Sequence, residues 1–175
     1  MRFYGRVFPQ AKEEKGFYLF NPRITWAELF FTALGTGLAI SVLALFHNHL
    51  EIILLIPPFG ASAVLLFAAP TVALAQPRNA IGGHIISAFF GVSCYQFFGL
   101  TWWSMTLAVT LSILAMSMTD TLHPPGGSTT LVAMFSHASW SFILFPVAIG
   151  ISFMILVAII VNRFSEERTY PMRER

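Results

Sequence analysis

The totals of this 175-residue chain exclude a typical soluble protein. Hydrophobic residues make up 56% of the sequence and charged residues only 10%, which is about 15 points below the usual charged share of a soluble domain. Between Leu29 and Asn162 only Glu51, Arg78 and Asp120 carry a formal charge, and the fifteen other charged residues lie in the two ends. This segregation is typical of a polytopic helical membrane protein, because a soluble chain distributes its charges along amphipathic faces. The net charge of +2 comes from basic residues beside the spans, so it indicates membrane orientation and no nucleic-acid partner.

The chain divides into three parts in sequence order. Residues 1–26 are basic and aromatic, which suits the headgroup level on the cytoplasmic side of a membrane. Residues 27–162 form a single transmembrane domain, and residues 163–175 form a basic tail. Because both ends are basic, we expect both termini to be cytoplasmic, with the domain in a bacterial inner (plasma) membrane.

The predicted fold is an all-α membrane bundle with two discontinuous helices. The apolar stretches run through about residues 27–46, 52–75, 81–98, 104–119 and 142–161. About 20 such residues cross a ~30 Å hydrocarbon layer. The second stretch is interrupted at residues 57–62, and a further break at residues 120–130 precedes a short helix. If both broken segments cross, there are six passes; if both are re-entrant, there are four. The positive-inside rule favours six, through Arg78 alone.

The second break is the most unusual stretch of the domain. Pro124 and Pro125 disfavour helical continuation, and Gly126 and Gly127 permit a tight turn. Ser128 is a suitable N-cap, so the sequence predicts that a new helix begins just after it. Irregular backbone at membrane depth is tolerated only where protein buries it or a water-filled cavity adjoins it. The break is therefore a candidate site.

An internal repeat relates the two breaks. An offset of 67 positions aligns residues 57–65 with residues 124–132, matching both prolines and a glycine, and it also aligns Gly83 with Gly150. The repeat halves are about residues 27–99 and 100–162.

Two further patterns concern helix packing. Gly83, Ser87 and Gly91 have the small-residue spacing that lets helix backbones approach closely, and a polar stripe on one helical face leads to the second break. The stripe consists of Thr106, Thr110, Ser117 and Asp120.

Four motifs together resemble the HPP family of integral membrane proteins. They are the triplet His123-Pro124-Pro125, the segments at residues 59–63 and 75–79, and Gly82-Gly83-His84. The resemblance implies a four-pass membrane protein, and it implies nitrite transport, in which plant and cyanobacterial members are implicated.

The leading hypothesis is transport of a small monovalent anion, with nitrite first. A helix N-terminus presents unpaired N–H groups and about half a positive charge, so it can hold an anion without a formal cation. We expect the anion between the two half-helix ends, with no metal and no cofactor, and a homo-oligomer in the lipid bilayer. The candidate substrate-binding residues are Gly60, Ala61, Ser62, Arg78, Asn79, His84, Asp120, His123, Gly126, Gly127, Ser128 and Thr129.

Several roles stay open at this point. His123 could carry a proton that couples to the anion, or its hydrogen bonds could pin the break. Asp120 could orient His123 or cap a helix at the membrane edge. Two other function classes also remain: a non-transporting partner subunit, and a membrane-embedded metalloenzyme. The metalloenzyme would draw its ligands from His47, His49, Glu51, His84, His123 and Asp120.

Overall fold

The structure is a computed structural model that describes residues 25–49, 53–165 and 168–172. The described residues form six helices and no strand. Most of the predicted interfacial segment 1–26, Glu51 of the possible metal cluster and the last three residues of the tail lie outside the described residues. The helices are α1 (Trp26–His49), α2 (Pro58–Ala68), α3 (Pro77–Phe98), α4 (Trp102–Met118), α5 (Pro124–Phe135) and α6 (Ile143–Arg163).

Three of these helices are long and apolar enough to cross a membrane: α1 over Trp26–Asn48, α3, and α6. Helices α2 and α4 are shorter and also apolar. The predicted class, an all-α membrane bundle, is confirmed. Helices α2 and α5 are the predicted discontinuous elements, since α2 follows the non-helical residues 53–56 and α5 follows the non-helical residues 121–123.

Helices α2 and α5 both begin earlier than the sequence predicts. Helix α5 starts at Pro124 with an extended His123 as its N-cap residue, so the predicted start after Ser128 is wrong. Helix α2 likewise starts at Pro58, inside the interruption predicted at residues 57–62. The physical reason is that the fixed φ of proline suits the first helical turn, where no N–H partner is needed. The prolines therefore open the helices and do not interrupt them.

The first broken segment crosses the bundle. Thr32, near the start of α1, donates a 2.8 Å hydrogen bond to the carbonyl of Phe67, at the end of α2. Helix α2 therefore runs antiparallel to α1. Its eleven residues span about 16 Å at 1.5 Å each, and the non-helical residues 53–56 precede it. The C-terminal tail reaches this end as well, because Arg168 Nη2 donates to the Glu28 carbonyl at 2.7 Å.

Helices α3 and α4 meet the same end of the bundle. Tyr170 donates from Oη to the carbonyl of Ala75, two residues before α3 begins, at 2.9 Å. Arg78, in the first turn of α3, donates to the carbonyl of Thr119, just after α4 ends, at 3.0 Å. Helix α3 thus leaves this end and α4 returns to it.

The second broken segment also crosses, alongside α3 and in the same direction. Asn79 donates to the Leu122 carbonyl before α5 at 3.0 Å, and Gln96 donates to the Ala138 carbonyl after α5 at 3.1 Å. Helix α6 then returns, since Asn162 near its end bonds the Leu66 carbonyl. The described chain therefore traverses the bundle six times, with its two halves running in opposite directions.

The halves exchange their last helices. Helix α5 of the second half packs chiefly on α3 of the first, and α6 packs on α1 and α2. The predicted close approach at Gly83, Ser87 and Gly91 is confirmed, because all three are buried, and a Cβ at Gly91 would lie 2.6 Å from the Thr130 carbonyl oxygen. Gly150 has the same role in the second half, where α6 meets the Phe59 ring at the start of α2.

The predicted polar stripe faces away from the core. Thr106, Thr110 and Asp120 are exposed, and Ser117 is only half-buried. The packed face of α4 instead consists of Ser104, Ala108, Ser112 and Met116. Helical spacing identifies which residues share a face, but hydroxyls that bond their own backbone are tolerated on an outward face, as Thr106 does with the Trp102 carbonyl.

Candidate functional site

The first two turns of α2 and α5 meet beside α3 at a fully buried polar centre. Helix α2 contributes Ser62, α3 contributes His84, and α5 contributes Thr129 together with His123 at its N-cap position. All four side chains are 0% exposed. We refer to these four residues as the histidine centre.

Short hydrogen bonds connect the histidine centre from end to end. Ser62 Oγ lies 2.8 Å from His84 Nε2 and 2.9 Å from His123 Nε2. His84 Nδ1 lies 2.7 Å from Thr129 Oγ1, and His123 Nδ1 lies 2.8 Å from the carbonyl oxygen of Leu74. One serine therefore joins two imidazoles, and each imidazole has a second partner.

The Leu74 carbonyl fixes the direction of these bonds when both histidines are neutral. A carbonyl can only accept, so His123 carries its hydrogen on Nδ1 and accepts at Nε2 from the Ser62 hydroxyl. Because Ser62 has one hydrogen to give, His84 must donate to it from Nε2. His84 then accepts at Nδ1 from Thr129. Donation runs in one sense from Thr129 through His84, Ser62 and His123 to Leu74.

Each hydroxyl of the histidine centre also has a second acceptor in its own helix. Ser62 Oγ lies 3.3 Å from the Pro58 carbonyl, and Thr129 Oγ1 lies 3.4 Å from the Pro125 carbonyl. The offset of 67 residues relates Ser62 to Thr129 and Pro58 to Pro125. The two half-helices therefore present the same hydroxyl-and-carbonyl pair to the centre. The histidines are not repeated, since Ile151 and Ile56 occupy the related positions.

Glycines and an aromatic ring shape the wall of the centre. A Cβ at Gly83 would lie 2.5 Å from the His123 Cβ, so only glycine lets the break approach α3 this closely. A Cβ at Gly126 would lie 2.7 Å from Ser87 Oγ. The ring of Phe59 meets the ring of His84 edge-on at 5.3 Å between centroids. The imidazoles are therefore held between close-packed backbone and an apolar ring.

The remaining predicted helix-end residues face outward from the centre. Gly60, Ala61 and Ser128 are exposed, and Gly127 is half-buried. A Cβ added at Gly60 or Gly127 would meet nothing within 4 Å. These related positions form open faces on the first turns of the two half-helices, next to but outside the hydrogen-bonded network.

The predicted charged residues lie at the end of the bundle and outside the histidine centre. Arg78 is exposed and bonds the Thr119 carbonyl, and Asp120 is exposed with a φ of 52°. Asn79 holds the Leu122 carbonyl, one residue before His123. Hydrogen bonds to Leu74 and Ser62 orient the His123 ring. Asp120 makes no contact with this ring that would support its predicted orienting role. In the described residues no group of three or more His, Cys, Asp or Glu side chains could hold a metal ion.

Sequence reasoning missed two parts of the site. The acceptor at Leu74 is a backbone carbonyl in an apolar segment, which has no side-chain signature. The second is a neighbouring polar contact, in which Thr130 Oγ1 lies 2.8 Å from Ser112 Oγ and donates to the Ser87 carbonyl at 3.1 Å. These bonds tie α5 to α4 and α3. The four-residue spacing of Ser104, Ala108 and Ser112 was the available signal for the inward face of α4.

This combination of features defines a class of protein: a polytopic helical membrane protein with two discontinuous helices that meet at a buried polar centre. The chain belongs to the HPP family, because the model of the HPP transmembrane region matches residues 21–171. One transmembrane protein of Dictyostelium discoideum is 41% identical over 157 residues, which cover 83% of this chain and 50% of that protein. A second from the same organism is 39% identical over 157 residues, covering 83% of this chain and 55% of that protein. The chain thus spans about half the length of these curated relatives. No solved structure matches the chain.

Proposed function

We propose that the protein transports a small monovalent anion across its membrane, with nitrite as the first candidate and nitrate as the next. The observation that carries this proposal is the meeting of two repeat-related helix N-terminal turns at one polar centre. Helix N-termini favour negative charge, and in transporters with inverted repeats discontinuous helices supply the substrate site near the midplane. Membership of a polytopic membrane family supports transport over catalysis.

The anion site of this proposal lies between the first turns of α2 and α5. The hydroxyls of Ser62 and Thr129 and the open faces at Gly60 and Gly127 supply donors and room there. In this structure each hydroxyl is paired with a histidine, so an anion must replace at least one of these bonds. We propose that the two halves shift around the centre to expose it alternately to either side.

The assembly of the protein and its orientation in the membrane are proposals as well. Several large apolar side chains on the outer faces are exposed in the single chain, including Trp26, Phe97 and Trp102, which is consistent with lipid and with further copies of the chain as neighbours. We propose a homo-oligomer with both termini cytoplasmic, as the basic ends suggest. The prediction of a bacterial inner membrane stays a prediction, and the two relatives come from Dictyostelium discoideum.

The proposal is tested by nitrite uptake into proteoliposomes that contain the wild-type protein, Ser62→Ala or Ser93→Ala. Ser62→Ala removes the one hydroxyl shared by both histidines, and leaving buried polar groups without a partner costs roughly 1–3 kcal/mol. Because about 1.4 kcal/mol corresponds to a factor of ten, we expect roughly a fivefold to hundredfold loss of uptake. Ser93→Ala is the matched control, because the Ser93 hydroxyl bonds only the Phe89 carbonyl of its own helix.

Two results would count against this function. The first is wild-type flux of nitrite and nitrate no faster than that of protein-free vesicles. The second is equal uptake by the wild type and Ser62→Ala when both are equally folded, as measured by thermal unfolding in detergent.

A further inference from the structure

We infer that Ser62, His84, His123 and Thr129 form a binding site for a single proton, which is taken up together with the transported anion. The joint uptake with an anion rests on the proposed function, whereas the proton site itself rests on the geometry of the histidine centre.

The hydrogen bonds allow a proton to be added without leaving any polar atom unpaired. If His84 gains a proton on Nδ1, it donates to Thr129, whose hydroxyl then turns to the Pro125 carbonyl 3.4 Å away. If His123 gains a proton on Nε2, it donates to Ser62, whose hydroxyl then turns to the Pro58 carbonyl 3.3 Å away. Each half-helix supplies this second acceptor as the carbonyl four residues before the hydroxyl.

The centre holds one proton because its two imidazoles are close neighbours. The ring centroids of His84 and His123 are 5.0 Å apart, so a second positive charge would meet strong repulsion in a buried site. The proton can instead pass between the rings through the Ser62 hydroxyl, which contacts both. The pair therefore behaves as one titrating unit and not as two independent histidines.

No fixed negative charge in the described residues balances the added proton. No Asp, Glu, Lys or Arg side chain there is buried. The titratable groups beside the starts of α3 and α5 are Arg78 and Asp120, which are both exposed at the bundle end, and Tyr170 of the tail, which donates to the Ala75 carbonyl. Helices α2 and α5 present only uncharged groups to the centre. The two helix N-termini add further positive potential, so a small monovalent anion is the missing counter-charge.

The proton site is tested by nitrogen NMR of histidine-labelled protein in bilayers, with His84→Gln and His123→Asn assigning the two buried signals. At high pH we expect His84 protonated on Nε2 and His123 protonated on Nδ1, the less common form of a free imidazole. On acidification we expect the pair to take up one proton. Finding both histidines protonated on Nε2, or finding two protons taken up independently at the same pH, would overturn the site.

The coupling is tested separately, with a pH-sensitive dye inside wild-type and His123→Asn proteoliposomes and an imposed nitrite gradient. The asparagine amide can still donate to the Leu74 carbonyl, but it cannot replace the Nε2 acceptor. In the wild type we expect acidification of the lumen that exceeds passive entry into protein-free vesicles and is independent of membrane potential, and in His123→Asn we expect that excess to be lost. Nitrite flux that follows membrane potential without proton movement would refute the coupling and leave the proposed function standing. Finding the expected tautomers but no nitrite flux would leave the proton site standing and refute the proposed function.

Discussion

Gly126 and Gly127 are adjacent in sequence, yet the structure gives them opposite roles. A Cβ at Gly126 would lie 2.7 Å from Ser87 Oγ and 3.0 Å from the backbone oxygen of Gly83, where the backbone cannot easily yield. A Cβ at Gly127 would meet nothing within 4 Å. The sequence alone treats both as turn glycines, because it contains no information on which side of α5 meets α3.

This difference predicts opposite effects of the same substitution. Gly126→Ala should lower the free energy of unfolding by roughly 1–3 kcal/mol, as overpacking does. Gly127→Ala should leave it unchanged or raise it by up to about 1 kcal/mol, because alanine favours helix. Thermal unfolding in the same detergent measures both. Similar destabilisation by the two variants would contradict the close approach of α5 to α3.

The individual residues of the histidine centre could be predicted, but not their arrangement. Ser62, His84, His123 and Thr129 belong to the predicted site because they are polar residues in apolar surroundings or beside helix starts. The hydrogen bonds that join them through Ser62 connect residues up to 61 positions apart in the sequence. Sequence spacing within one helix does not determine such contacts. The outward stripe on α4 has the same cause, since a periodic pattern defines a face and not its direction.

At the scale of elements, Arg168 ties the tail to three helices. Its guanidinium donates to the carbonyls of Glu28 and Phe67, at 2.7 and 3.0 Å, and to the side chains of Thr32 and Asn162, at 2.9 and 3.0 Å. It thereby bonds a carbonyl in the last turn of α2, which that short helix leaves without an intrahelical partner. Arg168 thus fixes the end of the first broken segment.

Arg168→Ala should destabilise the protein by roughly 2–4 kcal/mol, because hydrogen bonds to charged groups contribute about 1.5–3 kcal/mol each and this side chain is half-buried. Arg168→Lys should restore only part of the loss, since an ammonium lacks the planar set of donors. The control is Arg163→Ala, an exposed arginine in the last turn of α6, which should cost less than about 1 kcal/mol. Equal losses for Arg168→Ala and Arg163→Ala in thermal unfolding would remove this role from the tail.

At the scale of the whole molecule, the repeat predicts the order of elements but not their partners. The offset of 67 moves the bounds of α2 and α3 onto those of α5 and α6 to within about two residues. The exchange of last helices between halves has no local signature. At Gly83 the contact is with His123 at the start of α5, and at Gly150 it is with Phe59 at the start of α2. Each half therefore completes the other, and the centre forms only where both meet.

The paths of the two breaks decide between six passes and four, and single cysteines can measure both. In a Cys94→Ala background, cysteines replace Asn48, Ser139, Asp120 or Phe164, which are all exposed near the ends of helices. Six traverses place Asp120 at the same membrane face as Phe164, and Asn48 and Ser139 at the opposite face, because α4 returns to the end at which α6 finishes. A membrane-impermeant maleimide applied to sealed, uniformly oriented vesicles should therefore label Asn48→Cys and Ser139→Cys from one side only, and Asp120→Cys and Phe164→Cys from the other. If Asp120→Cys reacts from the same side as Asn48→Cys, the first break is re-entrant and the halves are not inverted. If Asp120→Cys reacts from the same side as Ser139→Cys, the second break is re-entrant. In either case the two half-helices do not approach the histidine centre from opposite faces.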